Sequence, residues 1–241
     1  MRVAGLMSGS GTNLIKIIEA AKFPHDYFKV ALIFTDNLQS NAIQIGKDFD
    51  IPVVIRDLDA FCMNRAKPRK DMITREEYDR ETAKILADFE IDVAAYAGYM
   101  CRATKPLINA ALGINGHPAD LTILNEEGKR KYTGDAAVKK AILAGEKELR
   151  STVHIVTEQV DYGKILAVSS PIPVQIPANW NPEDSELVKL IAKEHQERLK
   201  IAGDWQIFPR VIRDIAEGKY SQDKQGNLYH NNKPIPNGVR L

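Results

Sequence analysis

The chain has 241 residues, 44% of them hydrophobic and 27% charged, with a formal net charge of +1. That length buries a substantial core, and the near-neutral balance gives no electrostatic motive for nucleic acid or a membrane surface as main partner. Two cysteines, Cys62 and Cys101, are too few for a disulfide framework and suit a reducing cytosol. No apolar run approaches the roughly 20 residues of a membrane span. Met1-Arg2 runs directly into an apolar strand without a leader pattern, so a soluble cytoplasmic protein is expected.

In chain order, residues 3–7 read as a buried strand, and Leu14, Ile17, Ile18 and Ala21 then recur at helical spacing. Residues 28–34 and 51–55 read as two further strands. Residues 61–72, with Arg65, Lys67, Arg69 and Lys70, read as a basic surface loop. Thr74 followed by Glu77 forms a capping box for a helix carrying Tyr78, Ile85 and Phe89 inward. A fourth strand covers 92–99. Strands alternating with helices predict right-handed crossovers and a doubly wound, mainly parallel α/β sheet. Further on, 136–145 predicts a helix, and 152–156 and 165–174 predict two strands, antiparallel to each other. Asn181-Pro182 marks a helix start, and that pattern runs to about 217 with a break near Gly203-Asp204. Turn signals in 219–241 predict a C-terminal hairpin.

Two groups of residues carry chemistry. Ser8-Gly9-Ser10-Gly11-Thr12-Asn13 joins the first strand to a helix. A helix N-terminus with close backbone approach suits a phosphate, while the bland reading is a helix cap built from Ser10, Thr12 or Asn13. The dinucleotide fingerprint needs a third glycine where Leu14 stands. The second group is Asn115-Gly116-His117-Pro118, followed by His154 and Asp161-Tyr162-Gly163. Asn115-Gly116 is by itself a turn signal, but Pro118 favours an extended His117 at the carboxyl edge of the sheet, where ligands bind in open α/β folds. Alone, His117 reads as a structural histidine and Asp161 as a turn cap. Together they offer an amide donor, an imidazole and a carboxylate to a reacting carbonyl.

These residues make the chain resemble the 10-formyltetrahydrofolate-dependent formyltransferases over 1–218. The catalytic signature resembles Asn115-x-His117-Pro118 with His154 and Asp161-x-Gly163. The glycine loop, Arg75-Glu76-Glu77-Tyr78-Asp79-Arg80 and Ala97-Gly98-Tyr99-Met100 resemble the branch that binds a ribosyl phosphate. The resemblance implies a Rossmann-like formyltransferase domain with a C-terminal antiparallel strand and long helix, and 219–241 as an extension. It implies formyl transfer from 10-formyltetrahydrofolate, a consumed cosubstrate, to the amine of 5'-phosphoribosylglycinamide in purine biosynthesis, with no metal. Asn115 then donates to the formyl oxygen. His117 donates as an imidazolium or passes a proton to the leaving nitrogen, and Asp161 raises the pKa of His117. Gly11, Thr12 and Asn13 hold the phosphate, and Glu194 contacts the ribose. Met100, Cys101, Arg102 and Ala103 clasp the pterin with Thr157, Glu158, Gln159 and Val160, and Arg75 lies nearby. The implied partner is a small-molecule amine bearing a phosphate, taken up by a monomer or homodimer.

The chain departs from the family's His-Pro-Ser-Leu-Leu-Pro, reading His117-Pro118-Ala119-Asp120-Leu121-Thr122. A polar insertion follows near 123–130, read as a solvated surface loop or as a lid that adds positive charge. Lys131-Tyr132-Thr133-Gly134 stands for the family's Lys-Tyr-Pro-Gly. A second insertion, 196–207, separates Glu194 from Phe208-Pro209. Formylation of another phosphorylated or nucleotide-linked amine, and a non-catalytic folate or nucleotide-binding module, are the alternative readings.

Overall fold

The computed structural model describes residues 1–22, 27–178 and 180–241. They form two compact units, Met1–Asn115 with Ile155–Gln159, and Gly116–His154 with Val160–Leu241. The first unit begins with β1 (Arg2–Met7) and α1 (Thr12–Ala21), followed by β2 (Lys29–Thr35), α2 (Ala42–Phe49) and β3 (Val53–Ile55). Next come α3 (Leu58–Met63), α4 (Met72–Asp88), β4 (Val93–Tyr96), α5 (Lys105–Ile108) and β5 (Leu112–His117). Its strands lie in the order β5-β4-β1-β2-β3, all parallel. They read as continuous apolar runs because helices cover parallel sheets on both faces; β4 and β1 from Val3 onward are buried throughout.

The second unit holds α6 (Ala137–Leu143), β6 (Glu148–Leu149), β7 (Thr152–Ile155), β8 (Ile165–Val168) and β9 (Ile172–Pro173). A long helical segment follows, with α7 (Ser185–Leu199) leading through a π turn (Lys200–Asp204) into α8 (Trp205–Ala216). Four short strands close the chain: β10 (Tyr220–Gln222), β11 (Leu228–His230), β12 (Lys233–Pro234) and β13 (Val239–Arg240). Three of this unit's strands pair in the order β13-β8-β7. β7 and β8 are antiparallel, as the sequence predicts, and β13 runs parallel to β8.

Several expectations need correction. The cap of α4 is Asp71, whose carboxylate accepts the Thr74 N–H; Thr74 is already inside the helix and buried, so it cannot serve as the cap. The cap of α7 is Asp184, which accepts the Glu186 and Leu187 N–H groups, while Asn181 closes the preceding turn by accepting from Glu183. The strand expected over 165–174 is two strands, with β9 leaving to pair with β6. The expected C-terminal hairpin is a three-stranded meander, β10-β11-β12, followed by β13. The supposed basic loop begins as α3, and Arg65 and Arg69 are paired with Glu77 and Asp59. Among the described residues no helix is long and apolar enough to cross a membrane.

The second insertion continues the helical pattern read from the sequence. Residues 196–207 are the end of α7, the π turn and the start of α8. Gly203 sits where a Cβ would lie 2.6 Å from the Ser151 Oγ and 3.0 Å from its Cβ, so the helix approaches β7 closely only because that atom is missing. Gly203→Val is therefore expected to lower the free energy of unfolding by about 1–3 kcal/mol, the usual cost of overpacking. Urea denaturation followed by circular dichroism measures it; an unchanged midpoint would contradict the close approach.

Candidate active site

β5 carries Asn115 and His117 two positions apart, on the same face of the strand. Between them, Gly116 leaves room for Phe208 of α8, whose ring carbon lies 3.1 Å from where a Cβ would stand. Asn115-Gly116 is thus strand, not turn. Asn115 is partly buried and ends the first unit. His117 is buried and opens onto Asp161, with Nδ1 3.4 Å from Oδ2. His154, from β7, places Nε2 3.4 Å from Oδ1 of the same carboxylate. The Gly134 N–H donates to Oδ2 at 2.7 Å. One buried carboxylate therefore meets two imidazoles and a backbone amide.

On its other side His117 Nε2 lies 2.7 Å from the Tyr132 carbonyl. A carbonyl only accepts, so Nε2 carries the hydrogen, and the neutral ring presents a bare Nδ1 toward Asp161. Burial pushes the His117 pKa below its ordinary value, and neither Asp161 nor the Tyr132 carbonyl restores it. Burial thus opposes the imidazolium expected from the sequence, while Asp161 favours it as expected. For Asp161 burial acts against the charge, but the His154 hydrogen bond, the His117 charge and the Gly134 amide outweigh it and hold the pKa down at about 2. Asp161 also adopts a left-handed backbone, φ 58°, at a cost of about 1–2 kcal/mol for a residue with a side chain. The surroundings must hold it there.

The sequence did not point to Tyr132, Gly134 or Arg130 as partners of this cluster. Tyr132 and Gly134 act through their own backbone atoms, and the Arg130 side chain reaches backbone carbonyls, which leave no mark in the sequence; the one signal was their place in the altered 119–134 segment. That segment is also tied at its start. Asp120 Oδ1 accepts from the Thr122 N–H and hydroxyl at 2.9 and 2.5 Å. Arg240 of β13 then reaches Asp120 Oδ2 and Thr122 Oγ1, both at 3.0 Å. Asp120 and Thr122, two of the three residues that depart from the family pattern, thus form a side-chain-closed turn.

In the first unit, the glycine loop follows β1. Gly11 is the N-cap of α1 at φ 72°, a left-handed conformation that suits glycine. The first-turn amides of Thr12 and Asn13 stand at a helix N-terminus suited to an anion. Ser8 donates to the buried Asp36 at 2.5 Å and receives the Met100 N–H at 3.0 Å. Cys101 donates to Asp36 at 2.6 Å and receives Arg69 at 3.2 Å; burial pushes its thiol up to about 11, with Arg75 opposing and Asp36 adding to the rise. Met100 is exposed, Arg102 is exposed and Ala103 is buried. Arg102 donates to the Glu158 carbonyl at 3.3 Å, and Lys105 pairs with the Glu158 carboxylate at 3.6 Å, joining the two segments expected to bind folate. Thr157, Glu158, Gln159 and Val160 are all exposed. Arg75, in contrast, is only 4% exposed and spends its fork on the Arg102 carbonyl, the Tyr99 hydroxyl and Asp79. Through the Arg102 carbonyl it braces the 100–103 segment. Glu194 is exposed on α7 in the second unit, whereas its neighbour His195 is buried and structural, bonded to the Ile191 carbonyl and the Gln175 N–H.

Residues 1–195 match the family model described as formyl transferase, and the chain belongs to that family. It is 29% identical over 238 residues to the phosphoribosylglycinamide formyltransferase of Haemophilus influenzae, covering 98% of this chain and 96% of that protein. It is also 29% identical over 221 residues to the trifunctional purine biosynthetic protein adenosine-3 of Drosophila melanogaster, covering 90% of this chain and 14% of that longer protein. Among solved structures, the phosphoribosylglycinamide formyltransferase of Coxiella burnetii has the same fold, with a TM-score of 0.73 at 21% identity over 100% of this chain and 99% of that one.

The depressed pKa of Asp161 makes a prediction about acid stability. Its contribution is present above the unfolded carboxylate value near 4 and is lost as pH falls toward about 2. The neutral His117 adds to acid loss, starting below its unfolded value of about 6.5. Unfolding free energy is expected to fall by on the order of 2 kcal/mol between about pH 4 and pH 2 from Asp161. Asp161→Asn should flatten that part of the curve, measured by urea melts across pH; an unchanged slope would refute the ionised buried carboxylate.

Proposed function

We propose that the protein transfers the formyl group of 10-formyltetrahydrofolate to the amine of 5'-phosphoribosylglycinamide in purine biosynthesis. The observation that carries this reading is the single buried carboxylate of Asp161 set against His117 and His154, in a chain of the formyl transferase family. The full-length likeness to the Haemophilus influenzae enzyme favours this amine over other phosphorylated amines.

The chemistry follows from the residues. The amine nitrogen attacks the formyl carbon, giving a tetrahedral oxyanion and an ammonium. The Asn115 side-chain amide is the donor for that oxyanion, the kind of interaction that dominates catalysis of acyl transfer. His117 begins neutral, so its bare Nδ1 can take the ammonium proton. Asp161, facing that nitrogen, stabilises the imidazolium that forms. The same proton then passes to the folate nitrogen as its bond to the formyl carbon breaks, and the ring returns to neutral. His154 and Gly134 keep Asp161 ionised and aimed. The α1 terminus at Gly11, Thr12 and Asn13 holds the phosphate, and Glu194 contacts the ribose. The exposed segments 100–103 and 157–160 hold the pterin by backbone groups, with Arg75 supporting the first.

Asn115→Ala and Asp161→Asn are each expected to cut kcat at least about a hundredfold with the fold retained. Folate absorbance in the presence of both substrates reads the rate; absence of turnover in the parent protein with active folate sinks the reading. Asn13→Ala is expected to raise KM for the phosphorylated amine about tenfold or more, the worth of a hydrogen bond to a charged group. KM for the folate should stay put, and equal effects on both substrates would remove Asn13 from the phosphate site.

A further inference from the structure

We infer that Arg130, from the inserted segment, is a positioning residue that holds Asp161 against His117. The inference rests on the reading that His117 and Asp161 move the proton, but its geometry is independent of the substrate. The Arg130 guanidinium donates from Nη1 to the Asp161 carbonyl and from Nη2 to the Gly163 carbonyl, the latter at 2.9 Å. Its central carbon lies 5.6 Å from the centre of the Tyr162 ring. A planar fork thus grips the two carbonyls on either side of Tyr162, a geometry a lysine ammonium cannot copy. The gripped residue is the one in the left-handed conformation, where the backbone on its own prefers to relax.

The other end of the clamp is also fixed. Arg130 forms an antiparallel bridge with Leu124, the Asn125 N–H donates to the Lys129 carbonyl at 2.8 Å, and the Lys131 N–H donates to Ile123 at 2.9 Å. Asn125 Oδ1 accepts from the Glu127 and Lys129 N–H groups at 3.1 and 2.9 Å. The insertion is therefore a self-closed hairpin ending on Arg130. Every second residue from there touches the cluster: Arg130 at the Asp161 carbonyl, Tyr132 at His117 and Gly134 at the Asp161 carboxylate. An arginine serving a lid would turn its donors outward; these turn in.

The test uses Arg130→Met and Arg130→Lys in the full chain. Steady-state kcat and KM are measured for both substrates, alongside an NMR titration of the His117 ring. The charged and titratable groups acting on that ring are Asp161, His154 and Lys140, and all are left in place. Both variants are expected to lose at least about tenfold in kcat, as small misplacements of reacting groups do, with each KM held within about twofold. His117 should titrate at lower pH than in the parent, because the carboxylate supporting its proton is no longer held opposite Nδ1. Unchanged kcat overturns the inference. So does a raised KM for the amine at constant kcat, which marks an anion contact, or full activity in Arg130→Lys, which marks charge alone. If the parent shows no formyl transfer, it is the proposed function that fails; an unmoved His117 titration in Arg130→Met still rejects the clamp. Should Arg130→Met not fold, Arg130→Gln, whose amide reaches one carbonyl, gives the same readouts.

Discussion

The carboxylate of Asp161 organises the second unit. A buried negative charge is costly unless its lone pairs meet donors, and here Gly134 and His154 donate to it while His117 faces it. Each of the three groups comes from a different part of the chain: the end of β5, β7, and the segment leading into α6. Meeting one charge therefore dictates where three stretches of backbone must end. The left-handed conformation at Asp161 is the local strain accepted to bring the carboxylate into that position. In the same arrangement donors hold the Asp161 carboxyl acidic, and burial lowers the pKa of the His117 imidazole.

The first unit solves a similar problem with a different network. Arg75 and Asp79 are both buried and pair at 3.0 Å, and Asp79 also accepts the Thr104 N–H and hydroxyl. Asp36 collects Ser8, Cys101 and Arg69. These groups fix the strand ends from which the glycine loop and the 100–103 segment emerge, so that exposed backbone rather than long flexible side chains faces the proposed ligands. Preorganised backbone donors lose little freedom on binding, which suits a site that must hold a phosphate and a planar ring system.

Legibility of the fold followed the strength of periodic signal. β1, β2 and β4 were plain because their apolar runs are uninterrupted. Helices α2, α3 and α5 were not anticipated; in α2, Ile43 points outward beside the buried Ala42 and Ile45, which blurs the 3.6-residue stripe. At the caps of α4 and α7, several oxygen-bearing residues compete within four positions, and only packing selects Asp71 and Asp184. The catalytic side chains proposed here were legible as residue types at marked spacings. The direction of the His117 shift was not, because desolvation depends on everything packed around the ring and a neighbouring carboxylate in the sequence argues the opposite way.

By its own content the sequence determined the α/β class and the strand-to-helix position of the glycine loop, which follow from local patterns that neighbouring residues set. The grouping of Asn115, His117, His154 and Asp161 came from the resemblance to the formyltransferases. Tertiary structure alone decided that Arg75 is buried support, that the break near Gly203 is a π turn packed against Ser151, and that the first insertion turns its arginine toward the Asp161 turn. Such outcomes depend on which backbone carbonyls and buried charges lie across space, and a carbonyl carries no mark in the residue to which it belongs.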